Sequence, residues 1–257
     1  MSGNGNVVVT GQCRNESSPF VNIHCPETLI SVYAFRHGSW VEVGSIDVLL
    51  STIESILVAE DGSTFAVVEN GGSDRSPGRL LLYRLRGGAN IEQIGQEIPT
   101  KRGASVSMSR DGGTVAVGQR GTTLGRNDLI LESGTVTVFH YDEPTDQWRP
   151  LGQELTGRSR EERSFLFGIQ VSMSADASVL AVGWMSSIEN FFDAAGVLVY
   201  RWDPATTSWG PFGRIDFEGS IFGFGDVSLS ANGRSLAVSY SVDDLGVLVR
   251  VFDLQEL

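Results

Sequence analysis

The sequence predicts an all-β chain built from repeated four-stranded antiparallel units. Three observations predict it. The phrase VSMSRDGGTVAVG at 106–118 returns as VSMSADASVLAVG at 171–183. Glycine is abundant, with 31 in 257 residues, and helix-favouring stretches are few. Short β-prone runs alternate with polar turns that carry Asp-Gly or Asn-Gly, which is a hairpin pattern.

Aligned on its turn, the phrase occurs at 56–68 (ILVAEDGSTFAVV), 106–118, 171–183 and 227–239 (VSLSANGRSLAVS), with Asp61, Asp111, Asp176 and Asn232 in one slot. Each copy reads as two strands, a and b, around a tight turn; Asp176-Ala177 departs from the glycine pattern. A third run, c, follows a variable loop: RLLLYRL (79–85), TVTVFHY (135–141), VLVYRW (197–202) and VLVRVF (247–252). A fourth, d, completes three units: IEQIGQEI (91–98), WRPLGQEL (148–155) and WGPFGRI (209–215). Four antiparallel strands at this period describe a β-propeller blade, whose sheets stack radially and bury one another's faces. The expected units are 1–52, 53–101, 102–164, 165–219 and 220–257, within one propeller domain.

The first residues enter the pattern mid-strand. Asn4-Gly5 falls in the turn slot and Met1-Ser2 aligns with Met108-Ser109, while VLVRVFDLQEL ends on a strand c. The expectation is parts of five blades, three complete, with about eighteen strands. That is an open arc or a fragment of a larger propeller. Open strand edges invite pairing with another chain, so self-association is expected.

The stretches LGQELTG, FGIQVSMSADASVLAVG and AGVLVYRWD (151–157, 167–183 and 195–203) resemble the FG-GAP/integrin-α-type propeller repeat, with WD40-like strand order. They are most similar to the long-repeat propeller proteins of algae and bacteria built on FGxSVSLSxDGxxxAVG. The resemblance covers nearly the whole chain and implies a scaffold that binds rather than catalyses. Integrin-type repeats hold calcium in loops with several carboxylates. The matching turns here, AEDGST, SRDGGT, SADASV and SANGRS, are too poor in acids for a cage of six to eight oxygens. No metal or cofactor is expected.

Composition removes other classes. A net charge of −12, with Lys101 the only lysine and the arginines scattered among acids, argues against a nucleic-acid surface. No apolar run reaches the ~20 residues of a membrane span, and MSGNGNVVVTG lacks the charged-then-apolar pattern of a signal peptide. Cys13 and Cys25 flank the first b–c loop, where a disulfide across the neck would be worth about 3 kcal/mol. Asn15-Glu16-Ser17 in the same loop is a glycosylation sequon. Together they favour a secreted or cell-surface setting over the cytoplasm; free thiols would favour an intracellular WD40-like scaffold.

Binding is expected on the b–c and d–a loops, which vary most in length (119–133, 184–195, 240–245 and 156–168). Candidates are Phe191 and Phe192, between Glu189 and Asp193, as an aromatic anchor, with Arg126 and Asp128 in the preceding unit's loop. The bland alternative has both phenylalanines folded onto a neighbouring blade. Trp40, Trp148 and Trp209 begin successive d strands and read as structural. His24, His37 and His140 fall in three different contexts and form no ligand set. Neither a GxSxG elbow nor a phosphate loop is present. Asp226 and Glu54 are the only acids placed near a propeller axis. The expected function is therefore a non-catalytic module presenting loops to a protein or glycan partner. The rival is a carbohydrate-active enzyme using Asp226 and Glu54.

Overall fold

The computed structural model describes residues 1–13, 28–48, 53–70, 77–87, 90–121, 123–124, 129–130, 133–157, 166–188, 191–217, 221–242 and 246–256. These contain twenty-two strands and one short 3-10 turn, Glu143–Thr145. They divide into two compact units, one of Met1–Arg102, Arg110–Gly113 and Tyr141–Trp148, the other of Gly103–Ser109, Thr114–His140 and Arg149–Leu257.

In the first unit, β1 (Val7–Cys13), β2 (Thr28–Arg36) and β3 (Ser39–Val48) form a sheet in chain order. A second sheet runs β4 (Ile53–Val58), β5 (Thr64–Glu69), β6 (Gly78–Arg86) and β7 (Asn90–Gln93), with β8 (Ile98–Thr100) also paired to β6. All pairings are antiparallel. Every residue of β5 is buried, as a central strand covered on both faces requires. Ile30, Val32, Phe65, Val67 and Tyr83 make this unit's core, with the Phe65 and Tyr83 rings stacked at 5.2 Å.

The second unit holds most of a third sheet, in the order β14-β13-β10-β9, with the tip between β13 and β14 counted in the first unit. Its strands are β9 (Ser105–Met108), β10 (Thr114–Gln119), β13 (Thr135–Asp142), β14 (Gln147–Pro150) and β15 (Leu155–Thr156), the last also pairing with β13. Between β10 and β13 a small hairpin is formed by β11 (Thr123–Leu124) and β12 (Leu129–Ile130). The fourth sheet is β16 (Val171–Met173), β17 (Val179–Ile188), β18 (Phe191–Asp203) and β19 (Ser208–Phe217). The fifth is β20 (Ile221–Leu229), β21 (Ser235–Val242) and β22 (Gly246–Asp253). One apolar cluster joins Val136 and Val138 to Leu180 and Val182; another joins Val197 and Val199 to Leu236 and Val238. Each fully buried aliphatic side chain contributes about 1.5–3 kcal/mol.

The strand count exceeds the eighteen expected for two reasons. The fourth strands of the second and third sheets are each broken in two, at Gly95 and Gly152, whose φ of +67° and +80° only glycine adopts freely. The β11–β12 hairpin adds the other pair.

The repeated VSMS phrase has a hydrogen-bonding reason. Its first serine accepts an N–H from the innermost strand of the next sheet: Met173 donates to Ser107 Oγ at 3.0 Å and Leu229 to Ser172 Oγ at 2.9 Å. Its last serine closes the a–b turn, where Thr114, Val179 and Ser235 donate their N–H to Ser109, Ser174 and Ser230 Oγ. Asp111, Asp176 and Asn232 Oδ1 each accept the N–H two residues on, an Asx turn. Ser2 and Asn4 make the same two bonds, to Val7 and Asn6, so the first residues form the same turn.

The turns also contain one misfit. Gly5, Gly62, Gly112 and Gly233 occupy the left-handed slot with φ between +65° and +76°, whereas the fourth sheet puts Ala177 there at +56°. A left-handed non-glycine residue costs about 1–2 kcal/mol, and the extra freedom of an unfolded glycine returns about 0.4–1 kcal/mol of that. Ala177→Gly is therefore expected to stabilise the protein by about 0.5–1 kcal/mol, read as a raised urea midpoint at unchanged m-value. An unchanged or lowered midpoint would refute it.

Candidate binding groove

The groove is framed by a contact that recurs between outer strands. Trp148 in β14 and Trp209 in β19 are each only 2% exposed. In the first unit the Trp148 N–H donates to Gln96 Oε1 at 2.8 Å, and Gln96 Nε2 donates to the Trp148 carbonyl at 2.8 Å. The indole Nε1–H donates to the Ile94 carbonyl at 2.9 Å. In the second unit Gln153 and Leu151 hold Trp209 through the same three bonds, at 2.7–3.0 Å. The indole lies against the intervening glycine: a Cβ on Gly95 would stand 2.5 Å from Trp148 Cδ1. The motif (Ile/Leu)-Gly-Gln is thus a clasp for a tryptophan on the next outer strand. Asp146 supports the first clasp, accepting from the Tyr141 hydroxyl at 2.6 Å and the Gly95 N–H at 2.8 Å, and these bonds hold its pKa below the usual aspartate value.

Alongside the second clasp, within the second unit, lies a groove of about 620 Å³. Thr156, Gly157 and Phe167, from the connection into the fourth sheet, close one end. Leu198, Tyr200, Phe212 and Arg214 form the wall along β18 and β19. The β18–β19 register shifts between Val199 and Tyr200, which face Gly213 and Pro211, so Phe212 is the extra residue of a bulge. The bulge and Pro211 blunt the edge strand β19 against further strand pairing.

Trp184 also lines the groove, is 6% exposed, and its Nε1–H has no hydrogen-bond partner among the described residues. Its backbone faces Gly196, and a Cβ there would stand 2.9 Å from the indole nitrogen. The Arg214 guanidinium sits 5.1 Å from the Trp184 ring centre, and its Nε donates to Asp216 at 2.8 Å. The site thus combines apolar and aromatic walls, one orphan indole donor and one arginine.

Of the residues expected to bind, three have a described backbone. Phe191, Phe192 and Asp193 were expected in a loop, but their backbone is strand: the β17–β18 ladder continues to Ser187 opposite Phe192 and Ile188 opposite Phe191. The β-favouring Trp184 and Ile188 on one strand and Phe191 and Phe192 on the other support the pairing. Glu189, Arg126, Asp128, Asn15 and Cys25 lie outside the described residues, and Cys13 ends β1 opposite Thr28. Asp226, exposed on β20, donates its backbone N–H to Ser239 Oγ; Glu54 is exposed on β4 of the other unit. His140 Nδ1 is hydrogen-bonded to Thr114 Oγ1 at 3.1 Å. No group of three His, Cys, Asp or Glu able to hold a metal occurs among the described residues.

Sequence reasoning missed Trp184, Arg214 and the glutamine clasps. Trp184 was taken as the start of a loop. Gln96 and Gln153 had a visible signal, since IGQE and LGQE repeat and a tryptophan follows each by 52 and 56 residues.

No protein-family model matches the chain, and no curated protein matches it in sequence. Among solved structures, a protein from Lactobacillus plantarum is similar, at 14% identity and a TM-score of 0.53, over 90% of this chain and 65% of that one. TolB from Acinetobacter baumannii is similar at 17% identity and a TM-score of 0.47, over 97% of this chain; the chain spans about half, 51%, of TolB. The periplasmic gluconolactonase of Pseudomonas aeruginosa gives 14% identity and a TM-score of 0.44, over 97% and 86% of the two chains. Likeness at these identities bears on the fold alone. The chain is all-β, made of antiparallel sheets of the four-stranded propeller-blade type.

Proposed function

We propose that the chain is a non-catalytic binding module of the FG-GAP-like propeller-repeat type, which holds an extended segment of a partner protein in the groove beside β19. The observation that carries this reading is the groove itself, where the half-buried Tyr200 and Phe212 stand beside the exposed Arg214. Glycan recognition is less well supported. Sugar rings stack on open aromatic faces, whereas Trp184 and Trp209 are 6% and 2% exposed. The described lining supplies apolar contact and hydrogen-bond donors, which suits binding. A secreted or cell-surface setting belongs to the same proposal and rests on Cys13, Cys25 and the Asn15 sequon in one segment.

Peptide-display selection against the full chain tests this. Selected peptides are expected to bind Arg214→Ala at least about tenfold more weakly, a loss of ~1.4 kcal/mol. Phe212→Ala, which removes an aromatic part of the wall, is expected to weaken them as well. Peptides that bind both variants as tightly as the parent, or a selection that enriches nothing, would overturn the reading.

A further inference from the structure

We propose that Arg201 and Arg234 form a carboxylate-binding pocket in the cleft between the fourth and fifth sheets, which receives an acidic side chain of the partner protein. The pocket, of about 480 Å³, lies within the second unit. Its use by the segment held in the groove rests on the groove reading; the pocket's affinity for a carboxylate does not.

The two arginines come from different sheets. Arg201 lies near the end of β18, opposite Val179 on one side and Gly210 on the other. Its guanidinium stands over the Phe212 ring, 3.7 Å from the centre, and Phe212 is the residue that the β19 bulge adds. Stacking on an aromatic face steadies the planar fork and leaves its N–H edge for hydrogen bonds. Arg234 follows Gly233 in the β20–β21 turn. The left-handed φ of +65° at Gly233 lets that turn pack against the fourth sheet, where a Cβ would stand 2.8 Å from Val179 Cγ2. Ser178, Asn232 and Gln255 supply the rest of the polar lining, beside the buried Val179 and Leu254.

Neither guanidinium has an ion pair among the described residues, in a chain whose net charge is −12. The acids of the adjoining turns are engaged locally. Asp176 accepts from Ser174 and Ser178, Asp203 from the Ala205 N–H and the Thr206 hydroxyl, and Asp253 from the Gln255 N–H. The first unit shows the same position with its carboxylate in place. Arg84 pairs with Thr64 as Arg201 pairs with Val179, each opposite the residue that follows an Asx turn. Arg84 stands 5.1 Å from the centre of the Tyr141 ring, and its Nη1 donates to Glu143 at 3.1 Å. Glu256 holds the repeat position of Glu143, two residues after Leu254 as Glu143 is after Tyr141, but makes no ion pair among the described residues. The ligand is therefore assigned as a carboxylate, the group that serves Arg84.

Phe212 connects this pocket to the groove, because it lines both. One extended segment can thus place an apolar residue in the groove and an acidic one between the arginines. The chain's charge of −12 repels a run of acids, whereas the two arginines attract a single one at short range. The expected partner segment is apolar with one acidic residue, not a polyacidic tract.

Two measurements test the proposal, and the first does not involve the groove. A short capped peptide with one central glutamate among alanines is titrated into the full chain while the arginine Nε–H signals are followed by NMR. The signals of Arg201 and Arg234, assigned by their loss in Arg201→Gln and Arg234→Gln, are expected to shift together and saturate. That of Arg250, exposed on β22 and also without an ion pair among the described residues, is expected to stay. Arginines that respond no more than Arg250 does, or equally to the glutamine version of the peptide, overturn the pocket. The second measurement uses peptides selected on the parent, each compared with its Glu→Gln form. The change is expected to weaken parent binding about five- to tenfold and to have no further effect in Arg201→Gln. An Arg201→Gln variant that weakens both forms equally would make the residue a support for Phe212 alone and overturn the proposal. Selected peptides that lack an acid overturn the link to the groove's partner and leave the groove reading standing. A selection that enriches nothing overturns the groove reading, and the titration still decides the pocket.

Discussion

Trp209→Ala is expected to lower stability by about 3–5 kcal/mol, the cost of removing a large aromatic from a packed core. Three contributions act together. The ring is 2% exposed and its apolar surface returns to water on truncation. The Leu151 carbonyl loses the indole donor at 3.0 Å. Contact with Trp202, whose ring centre lies 5.4 Å away, is lost as well. The Gln153 bonds go to the Trp209 backbone and survive in alanine, which keeps the cost from rising further. Trp40→Ala supplies the internal control. It occupies the same repeat position, is 45% exposed and has no clasp among the described residues, so it is expected to cost under about 1 kcal/mol. Urea denaturation of the two variants separates the explanations. Equal losses would mean that the tryptophan position stabilises through its own sheet, not through the clasp.

That contrast also marks how far the sequence was legible. Tryptophans at a constant repeat position could be recognised as structural, and the a–b phrase with its Asp-Gly turns placed the strands. Legibility failed where the deciding partner sits on another sheet. Gln153 looks like any surface glutamine until Trp209 is placed beside it. Trp40, Trp148 and Trp209 look alike in sequence, yet burial differs because, among the described residues, only two have a clasp in front of them. Strand register is hidden from the sequence for a reason intrinsic to strands. GVLVYRW and GVLVRVF align by identity with Val197 on Val247, but the backbone pairs Val197 with Gly183 and Val249 with the matching Ser239. A shift of two residues keeps every side chain on its face, so alternation cannot detect it. Leu254 then takes the slot of Trp202: each donates its N–H to the residue just before strand b, Arg234 and Ser178. Of the candidate site, only the end formed by Thr156, Gly157 and Phe167 lay on a loop that sequence variation had marked.

Gly118→Val should be destabilising although valine is among the best strand formers and β10 is a central strand. Strand propensity favours valine by at most ~1 kcal/mol. Sterics act the other way: a Cβ at 118 would stand 2.4 Å from the Gly168 carbonyl oxygen and 2.9 Å from Val171 Cγ1. The first obstacle is backbone and cannot swing aside, and Gly168 is fixed by its own N–H to the Gly183 carbonyl at 3.0 Å. Overpacking of this kind costs about 1–3 kcal/mol, and the unyielding backbone obstacle puts this site at the upper end, so sterics win and a net loss of about 1–2 kcal/mol is expected. Gly210→Val tests the reasoning, because the nearest atom to a Cβ there is the Arg201 carbonyl oxygen at 3.9 Å. Propensity should decide that site, leaving stability unchanged or slightly raised. The two valines should therefore move the urea midpoint in different directions, and a shared direction would refute the steric account. The same displacement reaches function. Phe167, next to Gly168, closes one end of the groove, so Gly118→Val is expected to weaken peptide binding in the fraction that remains folded, while Gly210→Val leaves it intact.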